Sequence, residues 1–532
     1  MDEEMTDVSQ PFDLIVVGAG AAGLAAANRA VDLGGRVLLL EKGSRVGGSA
    51  ALSAGILWTA PDLEVGRRIQ PDGDPVLTRL VVEGYEQAVA DVRAARVTVS
   101  PEWLDHLGWG RACKIDIGDL FARWSAKVGE TSGGLLRDVS DVELICDQTG
   151  VSGVRFRHAG ETRTVAGRAV VLATGGFQGD PELKQRFIGG GADDIAVRSN
   201  PRSVGDGFRL GSAVGAAASR HLSGFYGHTL PSPVPVTPEV FLRLTLYFSA
   251  YGVIVNRLGR RFTDESLGDE VSNQFVLRQP GKRAVLIWDD EVHQQRALAV
   301  PYPSGMALDR HAEATKLGAR AAQTDTLDEL VQLVAGWGVD KTALQSTLAD
   351  YQRVSAGEAV ALDAPLPERP NPLRTGPFRA LEIQPCITIP FGGLRVNGDS
   401  QVLNRDNEPI RGLFAAGADA GGAQDLRYIG GLVFAFVFAA ALRTRRCCQS
   451  TEPTPATWSR YDHAHYHTGR GPSREPDTAG RHRRLRQHRR QPLPGPHRAA
   501  PRRGSRCGRR GPGSSPVLRR RTRYPEGCHI IG

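Results

Sequence analysis

The sequence predicts an α/β fold in which a dinucleotide-binding unit is interrupted by an α+β region and followed by a basic tail. Three observations carry this. A β-branched apolar run, Phe12 to Val17, feeds straight into a turn holding Gly18, Gly20 and Gly23, and then into an alanine-rich helical segment reaching about Leu33. Between about Ala216 and Pro365 the pattern changes to mixed short strands and helices, after which apolar strands and glycine turns resume. From Ser450 onward the chain is Arg, Pro, Gly, His and Ala with almost no periodic apolar residues.

The first unit has strand, glycine turn and helix in the order that nucleotide binding requires. Gly18 permits the tight turn, Gly20 lets the backbone approach a pyrophosphate, and Gly23 lets the helix pack on the strand. Ala22 lies inside the same turn, whose helix N-terminus supplies free amides and a positive dipole. A second apolar strand, Arg36 to Leu40, ends at Glu41, where a carboxylate can accept hydrogen bonds from an adenosine ribose and disfavour a 2′-phosphate. Lys42, directly after it, is counted with this site. The competing reading is a buried βα turn with no ligand, which must produce three glycines and a placed acid by chance.

Three later segments narrow the cofactor. "GSRVGGSAALSAGILW" (Gly43 to Trp58) follows the acid, "GRAVVLATGGF" (Gly167 to Phe177) sets a strand before Ala-Thr-Gly-Gly, and "EPIRGLFAAGADAGGAQDLRYIGGLVFAFVFAAALR" closes the apolar part. With the first unit, these resemble the flavoprotein family of fumarate reductases, succinate dehydrogenase flavoproteins and 3-ketosteroid dehydrogenases, from about Phe12 to Arg446. The resemblance implies a Rossmann-like FAD-binding domain, residues 12–215 and 366–446, split by a capping domain at 216–365 that closes over the flavin. The cofactor it implies is FAD.

By the same resemblance, Ser49 and Ser53 in the turn after Gly48 lie along the pyrophosphate and flavin, and Thr174 and Gly175 close over the adenosine side. Gly417 and Asp419 would contact the ribityl chain. Gly430, Gly431 and Leu432 would open a long apolar helix whose amides face the flavin and favour its reduced, anionic ring. Some relatives attach FAD through a histidine in the segment matching Gly48 to Gly55. This segment has none, so noncovalent FAD is expected.

The family's chemistry implies hydride and proton exchange across a C–C or C=C bond beside a carbonyl or carboxylate, on a small-molecule substrate. Here the chain departs from both branches. Thr388 stands where fumarate reductases carry a histidine, and Asp269 where they carry a proton-donating arginine, while Arg427 matches a dicarboxylate clamp. Gly422 stands where ketosteroid dehydrogenases have a tyrosine, and Tyr428 is offered instead. Arg427, Tyr428, His228 and Tyr251 are therefore the candidates for substrate polarisation and proton transfer, with Tyr226 of "SGFYGH" as a further phenol. For His228 the alternative is a satisfied loop histidine, and for the two cap tyrosines a half-buried aromatic. Arg260 and Arg261 read as a solvated or salt-bridged turn with Asp264 and Glu265, and Cys386 as core. No second nucleotide site is recognisable, so the electron donor or acceptor is an unidentified protein or small molecule.

The totals set the remaining bounds. The formal charge of +8 belongs to the tail, since Ser450 to Gly532 holds 19 Arg and 5 acidic residues and the body carries 47 basic against 53 acidic. The body thus gives no electrostatic reason to bind nucleic acid or an anionic membrane. The tail, 450–532, is expected to be disordered. It reads either as out-of-frame translation of GC-rich DNA or as an Arg-rich arm for an acidic partner. Seven cysteines without CxxC spacing argue against a zinc site or a disulfide scaffold, so no metal is expected and a reducing cytoplasm fits. The acidic, polar start is unlike a signal peptide, and the longest apolar run, "GGLVFAFVFAAALR", is too short to span a bilayer.

Overall fold

A computed structural model describes residues 10–303, 305–362, 364–367 and 370–441. The tail read at 450–532 and the expected end of the last helix at Arg446 lie outside these.

Leu14–Val17, Val37–Leu40 and Val170–Leu172 are buried at every residue, as strands covered on both faces must be. They pair in parallel, with Leu14 opposite Val37 and Ile15 opposite Val170. Pro409–Ala415 extends the sheet beyond Val170, Leu135–Leu136 closes the other edge, and the outermost strand, Gln401–Leu403, runs antiparallel. Leu14–Val17 therefore sits between a neighbour reached early in the chain and one reached late, which opens a crevice above the carboxyl ends of these two central strands. The helices Ala21–Asp32 and Gly431–Ala441 pack on each other beside it. The second is apolar all round because it is enclosed: Val433, Phe436 and Phe438 are all buried.

The second region has the expected α+β character. Leu230–Pro231, Phe378–Gln384, Ala284–Trp288, Val253–Asn256 and Ala321–Thr324 form an antiparallel sheet flanked by helices that include Leu327–Ala335 and Lys341–Ser355. The first of these helices shows the local logic. Thr326 and Glu329 form a reciprocal cap at its start, while Leu330, Val331 and Val334 supply the inward stripe. The sheet's most heavily paired strand, Phe378–Gln384, lies beyond Pro365, the limit read from composition. That strand is buried along nearly its whole length, with Arg379 and Glu382 among its buried residues, and its sheet is decided by pairing with Ala284–Trp288 and Ala321–Thr324, which composition does not report. At the other limit, Ala216 and Ala218 bridge back to Asn404 and Leu394 in the first region.

The chain passes between the regions at adjacent places. Phe225–Tyr226 pairs antiparallel with Ile389–Pro390, and Ala196–Val197 pairs with Cys386–Ile387. Cys386 is buried in this packing. The Gly259-Arg-Arg turn places Arg261 inside the second core, ion-paired to Glu265 at 2.5 Å with both residues buried. Among the described residues no helix is long and apolar enough to cross a membrane, and no cluster of three or more His, Cys, Asp or Glu is placed to hold a metal.

Candidate active site

A cavity of about 840 Å³ begins at the crevice of the first sheet and runs to the wall of the second region. Gly18, Gly20, Ala22, Glu41, Lys42, Gly48, Ser49, Ser53, Thr174, Gly175, Gly417, Gly431 and Leu432 all line it.

Gly18 has φ +103°, and a Cβ there would fall 2.4 Å from the Ala173 carbonyl, so the turn needs glycine to let two strand ends meet. Gly20 differs: a Cβ there would meet nothing within 4 Å, because it would project into the cavity. Glu41 is positioned by the turn itself, its two oxygens accepting from the Ala19 and Gly43 amides at 2.8 and 2.6 Å. An ionised carboxylate has about four acceptor sites, so Glu41 keeps capacity for a ribose diol. Lys42 is tied to Asp206 and to the Arg202 carbonyl. The Ser49 hydroxyl accepts from Asn200 N at 3.3 Å, and Ser53 accepts from Gly55 N at 3.2 Å. This cradle fits FAD: an acid at one end, open glycine and two helix N-termini along the path, and room beyond Leu432 for a ring system.

Three of the expected cofactor residues are off the cavity wall. Gly23 packs the helix on the turn, since a Cβ there would lie 1.8 Å from the Gly18 carbonyl. Gly430, at φ +98°, admits the Trp58 carbonyl. Asp419 turns inward, where it accepts from the Thr174 amide and, at 3.2 Å, from the Thr174 hydroxyl. Burial raises its pKa from 3.8 to about 7, against the pull of those hydrogen bonds. A folded pKa above the unfolded one means stability present below about pH 4 is lost as pH rises to about 7. In FAD-free protein, Asp419→Asn is expected to flatten that part of the stability curve. Chemical unfolding of both proteins at pH 4.5 and 7.5 checks this, and equal slopes would refute the assignment.

At the far end the walls are aromatic. Tyr226 stacks on Tyr428 with ring centres 3.7 Å apart and planes 8° from parallel, and Trp58 meets Tyr428 edge-on at 5.4 Å. The Tyr226 hydroxyl lies 2.6 Å from His228 Nε2, and His228 Nδ1 lies 2.5 Å from Asp269 Oδ2. Both His228 and Asp269 are buried. Burial holds the Tyr226 phenol well above its ordinary pKa and pushes His228 below its own, Asp269 opposing the latter. His106 also faces the cavity, its pKa driven down to about 4 by burial.

Of the four expected catalytic residues, His228 and Tyr428 reach the cavity, whereas Arg427 and Tyr251 do not. Arg427 points the other way, donating to the Leu267 carbonyl. Tyr251 lies beneath Arg296, 4.4 Å from its guanidinium carbon, and Tyr247 lines the cavity instead. Tyr247–Tyr251 is a tight three-residue-per-turn helix, in which a residue four positions on is rotated by about a third of a turn. Arg198 carried no signal in the sequence. It is a lone arginine in "AVRSNP", 6% exposed, with its guanidinium at the cavity wall.

A family model described as "FAD binding domain" matches residues 13–134 and 122–431. A protein from Shewanella frigidimarina, "Fumarate reductase (cytochrome)", is 28% identical over 451 residues, spanning 79% of this chain and 74% of that protein. "Urocanate reductase" from Eggerthella lenta is 27% identical over 477 residues, spanning 80% and 72%. Among solved structures, the 3-ketosteroid-Δ4-(5α)-dehydrogenase from Rhodococcus jostii RHA1, in complex with 4-androstene-3,17-dione, has the same fold. The TM-score is 0.65 at 21% identity, over 83% of this chain and 98% of that one.

Proposed function

We propose, on the premise that this chain belongs to the FAD binding domain family, that it is an FAD-dependent oxidoreductase interconverting C–C and C=C bonds beside a carbonyl or carboxylate. When bound, FAD supplies hydride exchange at its ring. The chain supplies the proton, and the observation that carries this reading is the Tyr226–His228–Asp269 series opening on the same cavity as the glycine cradle.

Asp269 beside Nδ1 assigns the imidazole proton to that nitrogen, so Nε2 accepts from the Tyr226 phenol. At rest both groups are neutral. In reduction, His228 first takes up a proton from solvent on Nε2, its charge balanced by Asp269, and Tyr226 then gives its own proton to the carbon next to the activating group as it receives the one on Nε2. In oxidation, Tyr226 takes that proton while its own passes to His228, whose charge Asp269 balances. Tyr428 and Trp58 keep water from this face of the cavity. Two of the relatives similar in sequence, those named above, are reductases by name, which favours the reductive direction. The electron donor is a separate protein or small molecule, and the setting proposed is the cytoplasm.

The test is an anaerobic visible spectrum of the holoprotein. After chemical reduction, an enoate or enone is expected to restore the oxidised flavin band. Bleaching of oxidised flavin by a saturated ketone would instead establish the oxidative direction. If no such compound changes the band in either direction, the protein is a flavin binder without turnover and the reading fails.

A further inference from the structure

Arg198 poses a problem of charge. Four arginines in the described residues are buried: Arg198, Arg261, Arg310 and Arg379. Arg261 is paired with Glu265, and Arg379 with Asp290. Arg310 donates to the Ala297 and Leu308 carbonyls away from the cavity wall. Arg198 alone among them lines the cavity, and its hydrogen-bond partners are two neutral hydroxyls, Thr388 Oγ1 at 3.3 Å and Thr245 Oγ1 at 3.0 Å. Its Nε is buried with no acceptor. A guanidinium removed from water is costly unless an anion meets it. Two threonines and the Phe241 face, 4.9 Å from the guanidinium carbon, hold its plane in place without neutralising it.

The surroundings restrict what the anion is attached to. Tyr247, His228, Tyr226 and Tyr428 stand on the same stretch of wall, and Arg198 acts on the titration of all four. Their rings make this stretch of wall aromatic, and Arg198 is the buried arginine on it; Arg310, also without a carboxylate partner among the described residues, lies off the wall behind Tyr247, its guanidinium carbon 6.0 Å from that ring.

We infer that Arg198 anchors the substrate's single anionic group, and that the substrate is an unsaturated monocarboxylate whose apolar or aromatic body lies along the aromatic wall. This rests on the proposed function, because it takes the aromatic end of the cavity as the substrate site. Anchored there, the carboxylate is also the activating group: the guanidinium draws charge from it while Tyr226 addresses the adjoining carbon. Arg198 is thus a specificity-determining residue.

Binding without turnover tests it. Oxidised holoprotein is titrated with 3-phenylpropanoate and with its uncharged amide, following perturbation of the flavin band, for the wild type and for Arg198→Gln and Arg198→Lys. FAD affinity is measured in parallel. The wild type is expected to prefer the carboxylate by about 100-fold, Arg198→Gln to abolish the preference with FAD affinity unchanged, and Arg198→Lys to keep part of it. Absence of a preference in the wild type overturns the inference and needs no variant. So does a preference that survives Arg198→Gln. Weakened FAD binding with the carboxylate preference intact assigns the arginine to the cofactor, and also overturns it. Because no turnover is involved, failure here leaves the reoxidation test of the proposed function standing.

Discussion

Tyr226→Phe is expected to lower kcat for the hydride-accepting substrate by about 10²–10⁴-fold, the usual worth of a positioned general acid. The ring remains, so its 3.7 Å stack on Tyr428 and the shape of the wall persist. The lost hydrogen bond to His228 costs on the order of 1 kcal/mol of stability. The flavin spectrum and FAD affinity should therefore match the wild type, and reduced flavin should still be reoxidised by dioxygen at the normal rate. Stopped-flow reoxidation by substrate and by dioxygen, side by side, separates a missing proton from a damaged cofactor site. Equal slowing of both would refute the role of Tyr226. Asp269→Asn acts through His228: it replaces an acceptor-only carboxylate with a neutral amide that can donate to Nδ1, so the tautomer is no longer assigned and the imidazolium is no longer balanced. It should slow the same step and change the pH profile of kcat, which a purely structural residue would not do.

The second large effect is a contrast between two glycines. Gly430→Ala forces a Cβ to within 1.7 Å of the Trp58 carbonyl at a residue held at φ +98°, so the backbone itself must move. A loss of roughly 3 kcal/mol or more is expected, visible as a lower Tm with or without cofactor. Gly20→Val meets no atom within 4 Å of its Cβ, and its φ of −76° suits any residue. That variant should keep the apo Tm and lose FAD affinity by roughly 100-fold, because its side chain occupies the space proposed for the pyrophosphate. Thermal unfolding with and without FAD distinguishes them. An unaltered FAD affinity in Gly20→Val would move the pyrophosphate elsewhere.

The first strand, its glycine turn and the acid after the second strand were legible because each depends on local backbone geometry, which residue type reports directly. The α+β character of the insertion was legible from periodicity. Its return point was not, since what assigns Phe378–Gln384 to the second sheet is pairing with strands far away in sequence, Ala284–Trp288 and Ala321–Thr324. At the aromatic end legibility depended on rotation. His228 and Tyr428, chosen for chemistry and position, do reach the cavity, but Tyr251 and Tyr247 are equivalent in sequence, and a tight turn brings the second to the wall. Arg427 was favoured for its place before the last glycine pair, yet its side chain leaves in the opposite direction to meet Leu267. Arg198 could not be found at all, because what marks it is the absence of a carboxylate nearby, and that is a property of three-dimensional neighbours.

The adjacency of Phe225–Tyr226 and Ile389–Pro390 bears on how such a protein can be altered. The segment between them leaves and re-enters the nucleotide-binding body at one point, so it behaves as a graft whose two ends meet. The glycine cradle lies wholly in the host, whereas His228, Tyr247 and Asp269 lie in the graft, with Tyr226 at the join. Exchanging the graft alone would therefore alter the groups that set the proton on Tyr226, while leaving the cofactor seat as it is. In this architecture redox capacity and the anchoring arginine are inherited with one part of the chain, and control of the proton with the other.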